Sequence, residues 1–336
     1  MKGNTKRWLS DAKSAIASGD PGEIAEQLYY AYSGAWLSVT SRHPVGTHVL
    51  ERDWDALIVL DGCRVDAMRE VAPEYSFVEN VESIWSIGST SAEWHVHTFS
   101  SAYAEELSET ALISANPNTE AILMEDDHPP RYPTPLLSTD WDAVSAEDLA
   151  YLEVTRNHDH PYNTIGDSGP SAPNVKTVQA PDYVTDRGIV AGREGYERLI
   201  VHYFQPHRPF IHDFVTEGRD LTDVEDDPFR AARAGEATEE EIWPLYLDNL
   251  RLVLDSVEEL LENLDAEKVA ITSDHGELFG EFGQYGHIES IPHPNLKKVP
   301  WVETTATDER AREPDEEFSM GEKRDVRQQL ADLGYV

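Results

Sequence analysis

Three features of the 336-residue sequence predict an α/β fold with a mainly parallel central sheet flanked by helices. Short apolar runs bounded by polar residues, at 55–60, 198–204 and 268–272, have the length and composition of strands buried on both faces. Helical periodicity lies between them, most clearly from Glu239 to Leu264, where Ile242, Tyr246, Leu250, Val253, Val257 and Leu260 share one face. Two of the runs end in an acidic residue close to glycine: Leu60-Asp61-Gly62 and Ser273-Asp274-His275-Gly276. In open α/β sheets, sites form at the carboxyl ends of strands.

Taken in order, residues 5–40 show apolar spacings near 3.6 and predict two helices, separated at Asp20-Pro21-Gly22. The run at 55–60 predicts the first strand, residues 64–71 the start of a helix, and Leu112 to Asn116 another strand. From about 125 to 185 the chain is rich in Pro, Asp, His and Ser. This stretch reads as a cap-like insertion with a helix near 145–156. The runs at 198–204 and 268–272 are further buried strands around the long helix, in whose first turns Pro244 is tolerated. The expected organisation is an N-terminal helical segment (1–48), a catalytic domain (49–302) and a charged C-terminal tail (303–336). No internal repeat is present.

The formal net charge is −37, with acidic residues spread along the chain. A broad basic face for nucleic acid is excluded, and electrostatic attachment to an anionic membrane is not expected. The 40% hydrophobic content, with 8 Trp, 14 Tyr and 9 Phe, is that of a chain with a large core. An acidic surface of this kind suits strongly screening solvent and predicts a halophilic source. The single cysteine, Cys63, allows no internal disulfide. The basic N-terminus lacks the apolar segment of a signal peptide, and no stretch approaches 18 apolar residues. The expected location is cytoplasmic, with no membrane span.

Asp61, Asp274 and His275 bring carboxylate and imidazole ligands to two strand ends, a set that suits a hard or borderline divalent cation. Either aspartate alone reads equally well as a helix N-cap. The string Thr-Ser-Asp-His-Gly-Glu after an apolar strand favours the metal.

Four segments, in this order, resemble motifs of the alkaline phosphatase superfamily. They are Ala-Leu-Ile-Val-Leu-Asp-Gly-Cys-Arg-Val-Asp (56–66), Ser-Thr-Ser-Ala-Glu-Trp (89–94), Val-His-Tyr-Phe-Gln-Pro-His-Arg-Pro-Phe (201–210) and the 271–287 segment that opens Ile-Thr-Ser-Asp-His-Gly-Glu and ends Tyr-Gly-His. The nearest branch is the sulfatase-like hydrolases and transferases, which include phosphoglycerol transferases. The resemblance spans about residues 50–302. It implies an alkaline phosphatase-like fold and a divalent cation (Mn, Zn, Ca or Mg) on Asp61, Asp274 and His275. It also implies a metal-bound hydroxyl nucleophile at a helix N-terminus, among Ser89, Thr90 and Ser91, with Thr90 preferred. Formylglycine chemistry is not implied, because Cys63 is followed by Arg-Val-Asp-Ala and position 90 is Thr. His207 is expected to protonate the leaving group or bind substrate; His287, Arg208 and Arg64 are expected to contact the substrate anion. One metal is expected.

The expected activity is hydrolysis or transfer of phosphate esters in small-molecule, glycan-linked or lipid-linked anionic substrates. The alternatives are a sulfoesterase without formylglycine and a non-catalytic glycan- or protein-binding member of the fold. His202 reads as a packed strand residue; His95, His97, His128, His158 and His160 read as loop residues.

Overall fold

A computed structural model of the chain describes residues 2–158 and 179–314. His160, part of the 125–185 stretch and most of the expected tail lie outside the described residues.

The elements run α1 (Lys2–Ser18), α2 (Pro21–Thr40), β1 (Ala56–Leu60), α3 (Val65–Val71), β2 (Glu82–Trp85), α4 (Ser91–Thr98), α5 (Ala104–Ser108), β3 (Thr110–Ser114) and α6 (Pro117–Leu123). They continue with β4 (Tyr151–Val154), α7 (Pro181–Arg193), β5 (Arg198–Tyr203), α8 (His212–Glu217), α9 (Asp223–Asp226), α10 (Pro228–Arg233), α11 (Glu239–Leu261) and β6 (Ala266–Thr272). A two-residue hairpin, β7 (Leu278–Phe279) and β8 (Tyr285–Gly286), precedes α12 (Pro294–Lys297) and β9 (Lys298–Ala306).

The sheet is α/β and mostly parallel, in the order β2-β9-β6-β1-β5-β3-β4. Only β9 runs against its neighbours. β1 is the central strand: Val59 pairs with His202 on one side and Thr272 on the other. It is buried throughout, as its unbroken apolar run requires. One core fills the side holding α3, α7 and α11, and a second the side holding α4 and α6.

Local chemistry explains the helix boundaries. Asp20 caps α2 by accepting the Gly22 amide at 2.7 Å, with Pro21 at the first helical position. Thr238 and Glu241 form a capping box that starts α11 ahead of Pro244.

The helix expected near 145–156 is a correction. A Ser145–Asp148 capping box starts a single 3₁₀ turn, Ala146–Asp148. Tyr151-Leu-Glu-Val154 then pairs in parallel with β3 as an edge strand, because aromatic and β-branched residues suit a half-buried pleat. The structure also adds β2 and β9, neither of which is an uninterrupted apolar run. β9 extends to Ala306, and beyond it Thr307 donates to the Leu261 carbonyl while Arg312 pairs with Asp186. α2 docks through the Tyr29 and Tyr32 hydroxyls, which donate to the carbonyls of Glu289 and Ser290. The ordered faces of both flanking segments are thus attached to the elements that carry the site.

Candidate active site

The carboxyl ends of the three central strands, β6, β1 and β5, meet at one edge of the sheet. Asp61 follows β1, Ser273-Asp274-His275 follows β6, and His202 lies in β5 with His207 in the loop after it. α4 enters from the side, and its first residue, Ser91, closes the group.

Asp61, Asp274 and His275 are completely buried, and each offers a ligand atom within 4.8 Å of the others'. His275 Nε2 is 3.5 Å from Asp61 Oδ1 and 3.6 Å from Asp274 Oδ2. Neighbouring ligands of a tetrahedral ion with bonds of about 2.1 Å lie about 3.4 Å apart. His275 Nδ1 donates to the Gly276 carbonyl at 2.8 Å, which leaves the Nε2 lone pair turned to the carboxylates. Two buried carboxylates side by side are costly without a cation between them. The donor set therefore fits a divalent metal.

The surroundings hold these ligands in place. Asn116, which caps α6, donates to Asp61 Oδ2 at 2.5 Å. Gly62 and His275 amides donate to Asp274 Oδ1 at 3.2 and 2.9 Å. Gly62 is in the left-handed region at φ +70°. At Gly276 a Cβ would fall 2.1 Å from the Asn295 carbonyl oxygen, so only glycine lets the turn pack against α12. Burial alone would raise the Asp274 carboxyl, but the imidazoles of His275 and His202, the Ser91 hydroxyl and the Gly62 amide hold it below the ordinary carboxylate range.

The hydroxyl at this cluster is Ser91. Its Oγ donates to Asp274 Oδ2 at 2.6 Å and lies 3.1 Å from His275 Nε2 and 3.5 Å from Asp61 Oδ2. Thr90, the expected nucleophile and metal ligand, is instead the N-cap of α4: its extended backbone (φ −146°, ψ 161°) turns Oγ1 to accept the Glu93 amide at 3.3 Å. Ser89 is held by Glu93 and the Ile288 carbonyl. Adjacent residues at a helix start project in different directions, and one step of the chain decides which hydroxyl meets the carboxylates.

A second cluster adjoins the first, where one metal was expected. His207, Glu277 and His287 offer ligand atoms within 4.8 Å of one another. His287 Nδ1 donates to Glu277 Oε1 at 2.9 Å, and His207 Nδ1 to the Arg208 carbonyl at 2.6 Å, so both present Nε2 lone pairs. Burial pushes His207 well below its ordinary value, and His287 in the same direction, so both are held neutral, as ligands must be. Glu277 Oε2 is buried with no hydrogen-bond partner among the described residues, as expected of an oxygen that faces a cation. Glu277 went unassigned in the sequence because the glutamate of Asp-His-Gly-Glu carries no spacing signal of its own. The rings of His275 and His287 lie 4.5 Å apart, so the two clusters adjoin.

Of the two arginines expected to meet the substrate, Arg208 stays beside the second cluster, where its charge helps to lower the imidazoles of His207 and His287. Arg64 places its guanidinium on Asp66, the Glu277 carbonyl and Glu281. Arg208 faces Asp227 at 3.5 Å. His202 is fully buried in β5 as expected, yet neither ring nitrogen has a hydrogen-bond partner among the described residues, and Nε2 is 3.8 Å from Asp274 Oδ2. Two histidines read as loop residues lie in a helix instead. His95 and His97 are buried in α4, where His95 Nδ1 donates to the Ser91 carbonyl at 2.7 Å, and His158 is buried against Tyr183. Cys63 is fully buried as expected, and burial raises its thiol pKa.

No family model and no curated protein matches the chain. Among solved structures it is similar to the soluble domain of lipooligosaccharide phosphoethanolamine transferase A from Neisseria meningitidis, at 16% identity over 80% of this chain and 82% of that one, with a TM-score of 0.46. It is similar to the C-terminal periplasmic domain of phosphoethanolamine transferase EptC from Campylobacter jejuni, at 15% identity over 74% and 77%, TM-score 0.41. It is also similar to a putative sulfatase from Bacteroides thetaiotaomicron, at 13% identity over 74% and 64%, TM-score 0.38.

Proposed function

We propose that this chain is a divalent-metal-dependent enzyme of the alkaline phosphatase superfamily that transfers or hydrolyses phosphate esters through a covalent ester on Ser91. The observation that carries the reading is the Ser91 Oγ at 2.6 Å from Asp274 and 3.1 Å from His275, inside a buried carboxylate–imidazole set. Asp61, Asp274, His275 and Ser91 would hold one cation; His207, Glu277 and His287, which present lone pairs and a carboxylate oxygen, fit a second. A bound cation supplies positive charge that favours the alkoxide form of the serine and offsets the charge on the phosphoryl oxygens.

The rest follows from the chain's own groups. The Ser91 hydroxyl already donates to the ionised Asp274, which lowers the cost of removing its proton. Ser91 opens α4, so the substrate anion meets the positive end of that helix. His95 fixes the Ser91 carbonyl, and Asn116 and the Gly62 amide fix the carboxylates, so the nucleophile is oriented before substrate arrives. Ser91 Oγ attacks phosphorus in line, the ester bond to the leaving alcohol breaks, and the proton given up by Ser91, passed through Asp274 or water, ends on the departing oxygen. Water or an acceptor alcohol then takes the phosphoryl group from Ser91 and restores the hydroxyl.

The test is turnover of aryl phosphate, bis-aryl phosphate and aryl sulfate by metal-loaded protein, with intact-mass detection of the ester. Phosphate turnover that Ser91→Ala reduces by about 10³-fold or more supports the reading. Preferential sulfate turnover moves the enzyme to the sulfoesterase class. A protein that binds no metal and turns over neither is the binding-protein alternative.

A further inference from the structure

α2 carries an apolar stripe that the described residues leave exposed. Ala25, Leu28, Tyr32, Ala35 and Val39 recur at alternating steps of three and four, the seam of a coiled coil, and all five are exposed. Leu28 is 66% exposed and Val39 60%. The seam runs about 21 Å at 1.5 Å per residue. No residue from Gln27 to Ser41 is charged, in a chain that is 27% charged overall. Leu136, 73% exposed, extends the patch beside Ser38, whose hydroxyl donates to its carbonyl.

We propose that this stripe is the contact between two copies of the chain, paired antiparallel through α2. Three observations favour a second copy. First, with antiparallel layers Tyr32 meets the partner's Ala35 and Leu28 meets the partner's Val39. Large residues then face small or medium ones across the two-fold axis. Second, the same register brings the acidic start of each α2, Glu23 and Glu26, against its partner's Arg42 and His43; a parallel pair would set Glu26 against Glu26. Third, residues 1–48 carry five Lys and Arg against four Asp and Glu, whereas the rest of the chain carries all of the large negative excess. This is the face on which two such molecules approach with least repulsion. A helix lying on lipid would flank its apolar stripe with Lys and Arg, but the only ionic residues of α2 are Glu23 and Glu26.

The experiment is sedimentation of the full chain over a concentration series, at low salt and in molar KCl. A dimer is expected, tighter in high salt because screening weakens the repulsion between the two bodies. Leu28→Glu with Val39→Glu should weaken it by about 100-fold or more. Leu28→Gln with Val39→Gln repeats the test with milder changes at the same exposed positions, and circular dichroism checks that both variants fold. Mixing a Tyr32→Cys chain with an Ala35→Cys chain should give the mixed disulfide in excess over either homodimer. A monomeric wild-type chain, a dimer that both double variants retain, or crosslinking without excess of the mixed product overturns the proposal. So does a monomeric chain whose Leu28 and Val39 are needed only for co-sedimentation with vesicles of phosphatidylcholine and phosphatidylserine.

Discussion

Ser91 and Thr90 divide two tasks that neighbouring hydroxyls commonly share. Ser91 faces the carboxylates, and Thr90 satisfies an open amide at the start of α4. Ser91→Ala should abolish turnover while leaving the melting temperature close to wild type. Thr90→Val should lower stability by about 1 kcal/mol, the cost of a lost cap, and reduce kcat far less than Ser91→Ala does. Equal loss of kcat in the two variants would reverse the assignment. His97 provides a pH probe away from the carboxylates. Burial, and next the charge of Lys297, hold it at about 3, below its ordinary 6.5, so it is neutral when folded. The unfolded chain binds a proton that the folded chain refuses between those values. Stability is therefore fully present above about pH 6.5 and falls as pH drops towards 3, by at most about 1.4 kcal/mol per pH unit for this group. Denaturant midpoints measured across that range for wild type and His97→Gln should show a shallower slope in the variant.

Elements hold the pocket from behind. Asn249 in α11 accepts the Ile211 amide at 2.9 Å and donates to the carbonyls of Pro206 and His207 at 3.1 and 3.2 Å. It ties the longest helix to the loop that aims His207. Asn249→Leu strands these groups and should cost about 1–3 kcal/mol. If the second cluster binds metal, affinity there should fall by about 10- to 100-fold, with Asp61–Asp274–His275 affected less. Calorimetric metal titration of the variant separates the two. Much of this level was legible in the sequence. β1, β5 and β6 are apolar runs, and Asp61, Asp274 and His275 stand at two of their ends beside glycines. Glu277 was not, because its role depends on a turn that brings residue 287 back to residue 207. β4 reads as part of a helix because four residues give too short a pattern to separate strand from helix. β2 and β9 were missed because Glu82, Lys298 and Glu303 interrupt their apolar pattern at exposed positions.

For the whole molecule, the charge of −37 opposes both compaction and the approach of an anionic substrate. Salt screens both effects, with a Debye length of about 3 Å at 1 M against about 10 Å at 0.1 M. Melting temperature and kcat/KM should therefore both rise from dilute buffer to molar KCl. A steep fall in either would contradict the reading of the surface as an adaptation to salt.

Ser91, Asp61 and Asp274 are separated by up to 213 positions along the chain, and they meet only when β6 and β1 are side by side and α4 packs at their ends. The pocket is thus a record of completed folding. A chain with its central parallel strands unpaired has no half-formed version of the metal site to offer. An ion bound there draws the equilibrium towards the finished fold, by about 2.7 kcal/mol when free metal is 100-fold above its dissociation constant. During refolding, long-range parallel pairing is the slow event, so recovery of metal affinity should lag behind recovery of helix.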